Sequence, residues 1–268
     1  MKYISFSISP ISTCCAYLSR AHSGRVYLAG LFLMLTACGP NGFQVVGVSN
    51  GTGIPGTVAE SGVITPTIYF IPTIDPKISK CAASEMEWLQ GMHGEKYVQL
   101  CKQDLDMCAM QGSCMVTVNG QMRRFNVMSK TPTGTHFADE SSISCQFAYG
   151  VDDICVDAFY SVAADLSLYA TGDVLYIPKI RGLKLPDGST HSGYFIVRDE
   201  GSGIKGRGRF DFFTGFMRFS DPQNPFSNIR LGDENTHFPY YRIVGPLAET
   251  VLKSRGFPMN KLGEHPSH

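Results

Sequence analysis

The sequence has no surplus of either charge, no internal repeat and no block of like charges: 23 Lys and Arg stand against 23 Asp and Glu in 268 residues. Binding to a phosphate backbone needs a basic surplus or stripe, so no nucleic-acid partner is expected. Missing too is any apolar run of the about 20 residues that a membrane-spanning helix requires. Among nine cysteines there is no Cys-x-x-Cys pair, and no histidine stands at ligand spacing beside them. A zinc site is therefore not expected, and no motif calls for any other metal or cofactor. What the chain does have is turn chemistry. Its 28 Gly and 15 Pro favour many short strands over a helical bundle, so the expected class is mainly β, with one or two short helices.

The N-terminus sets the compartment. Arg20 and Arg25 precede the short apolar run Val26 to Leu35, which ends at Thr36-Ala37-Cys38. Positive residues, a short apolar stretch and a small-residue cleavage point make a secretory leader. Leu35-Thr36-Ala37-Cys38 resembles a bacterial lipobox. That resemblance implies that residues 1–38 are signal peptide and lipobox, with Cys38 as the lipidated first residue of a cell-envelope lipoprotein. Membrane attachment would then be through an N-terminal lipid anchor. Gly39, with no aspartate beside it, points to the periplasmic face of the outer membrane. A plain secretory signal with a chance cysteine is the alternative. Removing residues 1–37 takes Lys2, Arg20 and Arg25 and no acid, leaving 20 basic against 23 acidic residues.

The same cleavage sorts the cysteines. Cys14 and Cys15 leave with the leader and Cys38 takes the lipid. Cys81, Cys101, Cys108, Cys114, Cys145 and Cys155 remain, an even number in an exported chain and so a disulfide framework. Cys145 and Cys155 flank a short polar loop and are expected to pair, contributing on the order of 2–3 kcal/mol. The other pairings stay open.

Along the chain, residues 39–65 are Gly, Val, Ser, Thr and Asn with little charge and no periodicity, which suits a flexible tether. Residues 66–160 read as an N-terminal disulfide-containing region. It starts with a strand at Thr67 to Ile71, has a helix from Lys102 to Met110 stopped by Gly112, and continues as a hairpin about Asn119-Gly120. Ser129 to Asp157 reads as mostly loop. From 161 to 246, strand signals at Val174 to Ile177, Tyr194 to Val197, Phe210 to Phe213 and Tyr240 to Val244 alternate with turns, as in a small barrel. Residues 247–268 read as a tail with a terminal helix followed by disorder.

The densest polar stretch is Arg198-Asp-Glu-Gly-Ser-Gly-Ile-Lys-Gly-Arg-Gly-Arg-Phe-Asp211. Its Gly201-x-Gly203-x-x-Gly206 spacing would suit a dinucleotide only if a helix followed, and Arg209 to Phe213 is strand-like. Val162-Ala-Ala-Asp165, Gly172-Asp-Val-Leu-Tyr-Ile-Pro178, Asp199-Glu-Gly-Ser-Gly-Ile-Lys-Gly206 and Arg209-Phe-Asp211 together resemble the three-aspartate (3D) domain family. That domain is shared with membrane-bound lytic transglycosylase A and with resuscitation-type muralytic proteins. The resemblance spans Ser161 to Gly245 and implies a double-psi β-barrel that cleaves peptidoglycan glycan strands to 1,6-anhydro products.

The resemblance makes Asp165, Asp199 and Asp211 the three aspartates. Asp211 would be the catalytic acid and base, with Asp199 beside it. Asp165, Lys205, Gly201, Gly203 and Gly206 would form the substrate-binding set. Gly201-Ser202 replaces the family's Gly-Gly, the link Arg207-Gly208-Arg209 is one residue longer, and Asp173 replaces a threonine and adds a carboxylate near the group. The chemistry needs one carboxyl group that is protonated near neutral pH, whereas a free aspartate titrates at about 3.9. A like charge at Asp199 and burial against Phe210 and Phe212 would supply the shift. Each residue also has a plainer role. Asp199 can cap backbone amides, Asp165 can hold a loop and Lys205 can be merely solvated. Two other functions fit the same residues: a peptidoglycan-binding or wall-loosening module without turnover, and a structural envelope lipoprotein.

Overall fold

The structure is a computed structural model that describes residues 54–132 and 134–265; the leader, Cys38 and most of the expected tether lie outside them. In chain order the elements are β1 (Thr57–Val63), β2 (Thr65–Tyr69), β3 (Thr73–Ile74), β4 (Met86–Gly91), β5 (Lys96–Cys101), α1 (Lys102–Gln111), β6 (Ser113–Val118), β7 (Gln121–Thr131), β8 (Gly134–Asp139), β9 (Ser161–Ala164), β10 (Val174–Tyr176), β11 (Tyr194–Glu200), β12 (Arg209–Phe213), α2 (Pro225–Asn228), β13 (Pro239–Val244) and α3 (Pro246–Ser254). They form a seven-stranded sheet ordered β1-β13-β10-β11-β9-β12-β2 and a six-stranded sheet ordered β3-β6-β7-β8-β4-β5.

The larger sheet is curled. Its two edge strands, β1 and β2, are consecutive in sequence and separated only by Ile64, so the sheet must bend until its edges meet at that residue. The interior is filled by Ile64, Val162, Ala164, Leu175, Phe195, Val197, Phe210, Phe212 and Tyr240. Outside it, Val174, Tyr194, Ile196 and Ile243 pack against Ala248, Val251 and Leu252 of α3 and against Phe257. Strand β11 is thus covered on both faces, which is why Tyr194-Phe-Ile-Val197 is apolar without alternation. In the smaller sheet, Leu89, Leu100, Val116, Phe125 and Phe137 pack with Leu105 and Cys108 of α1.

The disulfides are Cys145–Cys155, as expected, with Cys81–Cys101 and Cys108–Cys114. Three expectations from sequence change. First, β1 lies in the stretch read as tether, and with β2 it belongs to the larger sheet. Most β1 side chains are exposed, so it carries no apolar pattern, and pairing with β13 holds it instead. Second, β8 and the end of β7 lie in the stretch read as loop; only Phe137 of β8 is fully buried. Third, the tail is packed beyond α3, where Phe257 is buried and the Gly263 N–H donates to the Thr171 carbonyl. No helix follows the Gly201-x-Gly203-x-x-Gly206 segment; β12 does.

Candidate active site

Register across the larger sheet assembles the site. Asp211 on β12 pairs with Ala163 on β9 and with Thr67 on β2, while Asp199 on β11 also pairs with Ala163. Asp199, Ala163, Asp211 and Thr67 therefore form a row across four neighbouring strands. Strands lie about 4.8 Å apart, which puts the Cα atoms of the two aspartates about 10 Å apart, with only a methyl group between them.

A bulge is what brings Asp199 into that row. On β11, Phe195 and Val197 face the barrel interior, and simple alternation would send residue 199 the same way. Between Val197, paired with Val162, and Asp199, paired with Ala163, the register shifts by one, and Arg198 is the extra residue. The shift turns Asp199 to the opposite face, the re-aiming that bulges commonly perform. Arg198 itself is buried and donates to the carbonyls of Cys155 and Arg255, at 2.7 Å each. The loop closed by Cys145–Cys155 packs on this bulge so tightly that a Cβ on Gly150 would sit 2.2 Å from the Arg198 carbonyl oxygen.

Asp199, Ala163 and Asp211 of this row lie on the floor of a cleft of about 510 Å³. Tyr69 and Phe213 continue the floor. One wall is the turn from α1 into β6 together with Asn126 and Lys130 of β7, and another is Ala148 to Asp152, within the loop closed by Cys145–Cys155. Burial pushes the Asp199 carboxyl up to about 7, and the charge of Asp211 adds to the shift. Opposing it are the Glu200 N–H, which donates to Asp199 at 2.9 Å, and the Tyr69 hydroxyl. Asp211 is pushed up to about 6, again chiefly by burial, against the pull of the Thr67 hydroxyl and the Arg209 charge. Each carboxyl thus keeps a protonated fraction near neutral pH, as a general acid requires.

The source of that burial differs from the expectation. Phe210 and Phe212 point into the barrel interior, away from Asp211, because neighbours in a strand face opposite sides. The surroundings that desolvate Asp211 are those of the cleft floor.

Of the other expected site residues, Gly201 lines the cleft beside Ser202. Asp165, Gly203, Lys205 and Gly206 do not line it. The Asp165 carboxylate accepts from the Ser167 N–H and hydroxyl and from the Gly206 N–H, at 3.1, 2.8 and 2.9 Å, with the Lys205 ammonium 3.8 Å away. These donors, led by Gly206, lower it to about 2. Asp165 is a permanent anion that braces the 201–208 loop. Gly206 serves that brace at φ +96°, a backbone conformation that favours glycine. Asp173 is not near the aspartate pair either. It sits with Arg242 and His265, at 3.5 and 2.9 Å.

Sequence reasoning passed over Thr67, Tyr69 and Lys130. The first two share one face of β2 by alternation, but the parallel pairing that puts them beside β12 spans about the whole barrel and leaves no local mark.

Residues 160–220 match the family model of the 3D domain. The chain thus carries a 3D domain, and that segment contains β9, β11 and β12 with all four of the aspartates just described. No curated protein matches the sequence. Among solved structures, the chain is similar to E. coli MltA with bound chitohexaose, at 13% identity over 68% of this chain and 71% of that one, with a TM-score of 0.46. It is also similar to a membrane-bound lytic murein transglycosylase from Agrobacterium tumefaciens, at 13% identity over 72% and 76%, with a TM-score of 0.42. A third is MltA from Neisseria gonorrhoeae, at 10% identity over 69% and 74%, with a TM-score of 0.41.

Proposed function

We propose that this protein is a lytic transglycosylase-like enzyme that cleaves peptidoglycan glycan strands between N-acetylmuramate and N-acetylglucosamine, with Asp211 as acid and base. The observation that carries the reading is the pair of raised carboxyl groups on one cleft floor within the 3D segment. Protonated Asp211 gives its proton to the glycosidic oxygen as the bond to C1 breaks. The resulting carboxylate takes the proton from the C6 hydroxyl of the muramate, whose oxygen closes on C1 as a 1,6-anhydro ring. Proton and leaving group balance within the substrate, so no water is consumed. Asp199, on the same floor, has the higher transition of the two, so the pair together keeps a proton near neutral pH. The same reading takes the curled sheet as a double-psi barrel, supported by its two parallel pairs, β9 with β11 and β2 with β12.

Two carboxyl groups on one floor also suit a hydrolase that activates water with the second acid. The products separate the readings by one water. Purified protein incubated with sacculi, with mass analysis of the released fragments, should yield anhydro-muropeptides. Reducing-end products would assign a hydrolase, and sedimentation with sacculi without release would assign a binding module. The proposal extends to Cys38 as the lipid anchor, holding the domain at the periplasmic face of the outer membrane. Cys38→Ala should then move the protein from the membrane to the soluble fraction, and unchanged fractionation would remove the anchor from the proposal.

A further inference from the structure

The charged side chains that line the cleft are unevenly placed. Asp199, Glu200 and Asp211 come from the larger sheet and Asp152 from the loop closed by Cys145–Cys155, whereas Lys130 of β7 is the one cation among the described residues that line it. The Lys130 side chain is exposed and makes no hydrogen bond or ion pair with any described residue. The chemistry above does not use it.

A second bulge aims Lys130 into the cleft. Val127 and Phe137 stand opposite each other on β7 and β8 and face the core of the smaller sheet. Simple alternation along β7 would turn residue 130 to the other side. Between Val127 and Ser129 the register shifts, with Met128 as the extra residue, so that Ser129 meets His136 and Lys130 meets Thr135. Thr135 stands two residues before Phe137 and so shares its face. Lys130 is thereby brought to the face of Val127, which lines the cleft with Ala109 and Met110 at the end of α1. Bulges of this kind recur beside functional sites, where they re-aim a side chain.

We propose that Lys130 is a specificity-determining residue that binds a carboxylate borne by the muramate, so that the cleft prefers carboxylate-bearing strands over uncharged glycan. The sugar rings themselves carry no charge. Each muramate, however, bears a lactyl group that ends either in a free carboxylate or in a stem peptide with carboxylates of its own. Such an anion is repelled by the acids of the floor and the loop wall and attracted to the lysine, and both effects are stronger at a protein surface than in bulk water. The uncharged rings then lie over the acids, with the anionic substituent turned towards β7. The inference rests on reading the cleft as a peptidoglycan site.

Calorimetric binding tests this in the full-length protein carrying Asp211→Asn, so that bound strands stay intact. The probes are soluble glycan strands with stem peptides, strands stripped of their stems to leave the lactyl carboxylate, and an uncharged N-acetylglucosamine hexamer. Adding Lys130→Gln should weaken binding of carboxylate-bearing strands about three- to tenfold and leave the hexamer unaffected. Lys130→Arg should retain the binding, and the loss in Lys130→Gln should shrink as salt is raised. A loss confined to stem-bearing strands assigns the stem carboxylates, and one confined to stripped strands assigns the lactyl carboxylate. Unchanged affinity for all the probes, or an equal loss for all, would overturn the role. If the Asp211→Asn protein with Lys130 intact binds none of them, the peptidoglycan reading of the cleft falls and this inference with it.

Discussion

Of the five aspartates within the 3D segment, Asp187 is exposed on a turn, and the other four divide into two regions that share residue type and little else. On the bracing side, Asp165 has three donors and a nearby ammonium, and Asp173 has the Ala170 N–H, Arg242 and His265. On the cleft side, Asp199 has one backbone donor of normal geometry and Asp211 Oδ1 has none among the described residues. Burial alone does not separate the groups, since Asp165 and Asp173 are the more buried by exposed area. The supply of partners does. Where donors converge on Asp165, its carboxylate stays ionised and works as a structural anion, whereas burial raises Asp173 in spite of its partners. Where the fold withholds them, the carboxyl stays near its transition at neutral pH and can pass a proton.

The strongest way to break this comparison is to remove the proton carrier. Asp211→Asn retains shape and volume, so circular dichroism should show an unchanged fold. Release of anhydro-muropeptides should fall by about 10²–10⁴-fold, roughly 3–5 kcal/mol in barrier height. A folded variant with the parent rate would return Asp211 to the structural group. Next in size is the converse test on the bracing side. Asp165→Asn loses the charge that its three donors face and should cost on the order of 1–3 kcal/mol in denaturant unfolding. Per folded molecule, its turnover should stay near that of the parent, because the side chain does not line the cleft. A large loss of turnover with unchanged stability would mean that Asp165 reaches substrate after all.

The sequence showed the two regions unevenly, for physical reasons. Runs such as Tyr194 to Val197 and Phe210 to Phe213 announce strands because their burial is written in their own side chains. Asn119-Gly120 announces a turn because both residues adopt positive φ. The Cys145–Cys155 pairing followed from proximity along the chain. The bulge at Arg198 was not legible, since a register shift is a property of two strands and neither carries its sign alone. Nor was β1, whose exposed side chains leave pairing with a strand near the other end of the chain as its main support. Phe210 and Phe212 pointed to a raised Asp211 by the wrong route, because neighbours in sequence along a strand are not neighbours on one face. Asp173 was grouped with the cleft acids only because it stands where the family has a threonine, although its charged partners come from β13 and the C-terminal segment.

The smallest expected signal is the sharpest, because Asp165 and Asp199 should contribute to stability with opposite slopes in pH. Asp165, lowered to about 2, binds its proton less readily folded than at the unfolded value of about 3.9. Its contribution is therefore fully present above about 4 and is lost as pH falls towards 2. Asp199, raised to about 7, does the reverse. Between about 4 and 7 the folded state holds a proton that the unfolded chain has released, so stability declines as pH rises through that window. Asp199→Asn has no proton to lose. Relative to the parent, its melting temperature should be little changed near pH 4 and should rise by a few degrees at pH 7, while turnover falls less than in Asp211→Asn. Thermal unfolding of both proteins across that range measures the difference. A gap that does not widen with pH would mean that Asp199 titrates near its ordinary value, and that the cleft floor holds one unusual carboxyl group instead of two.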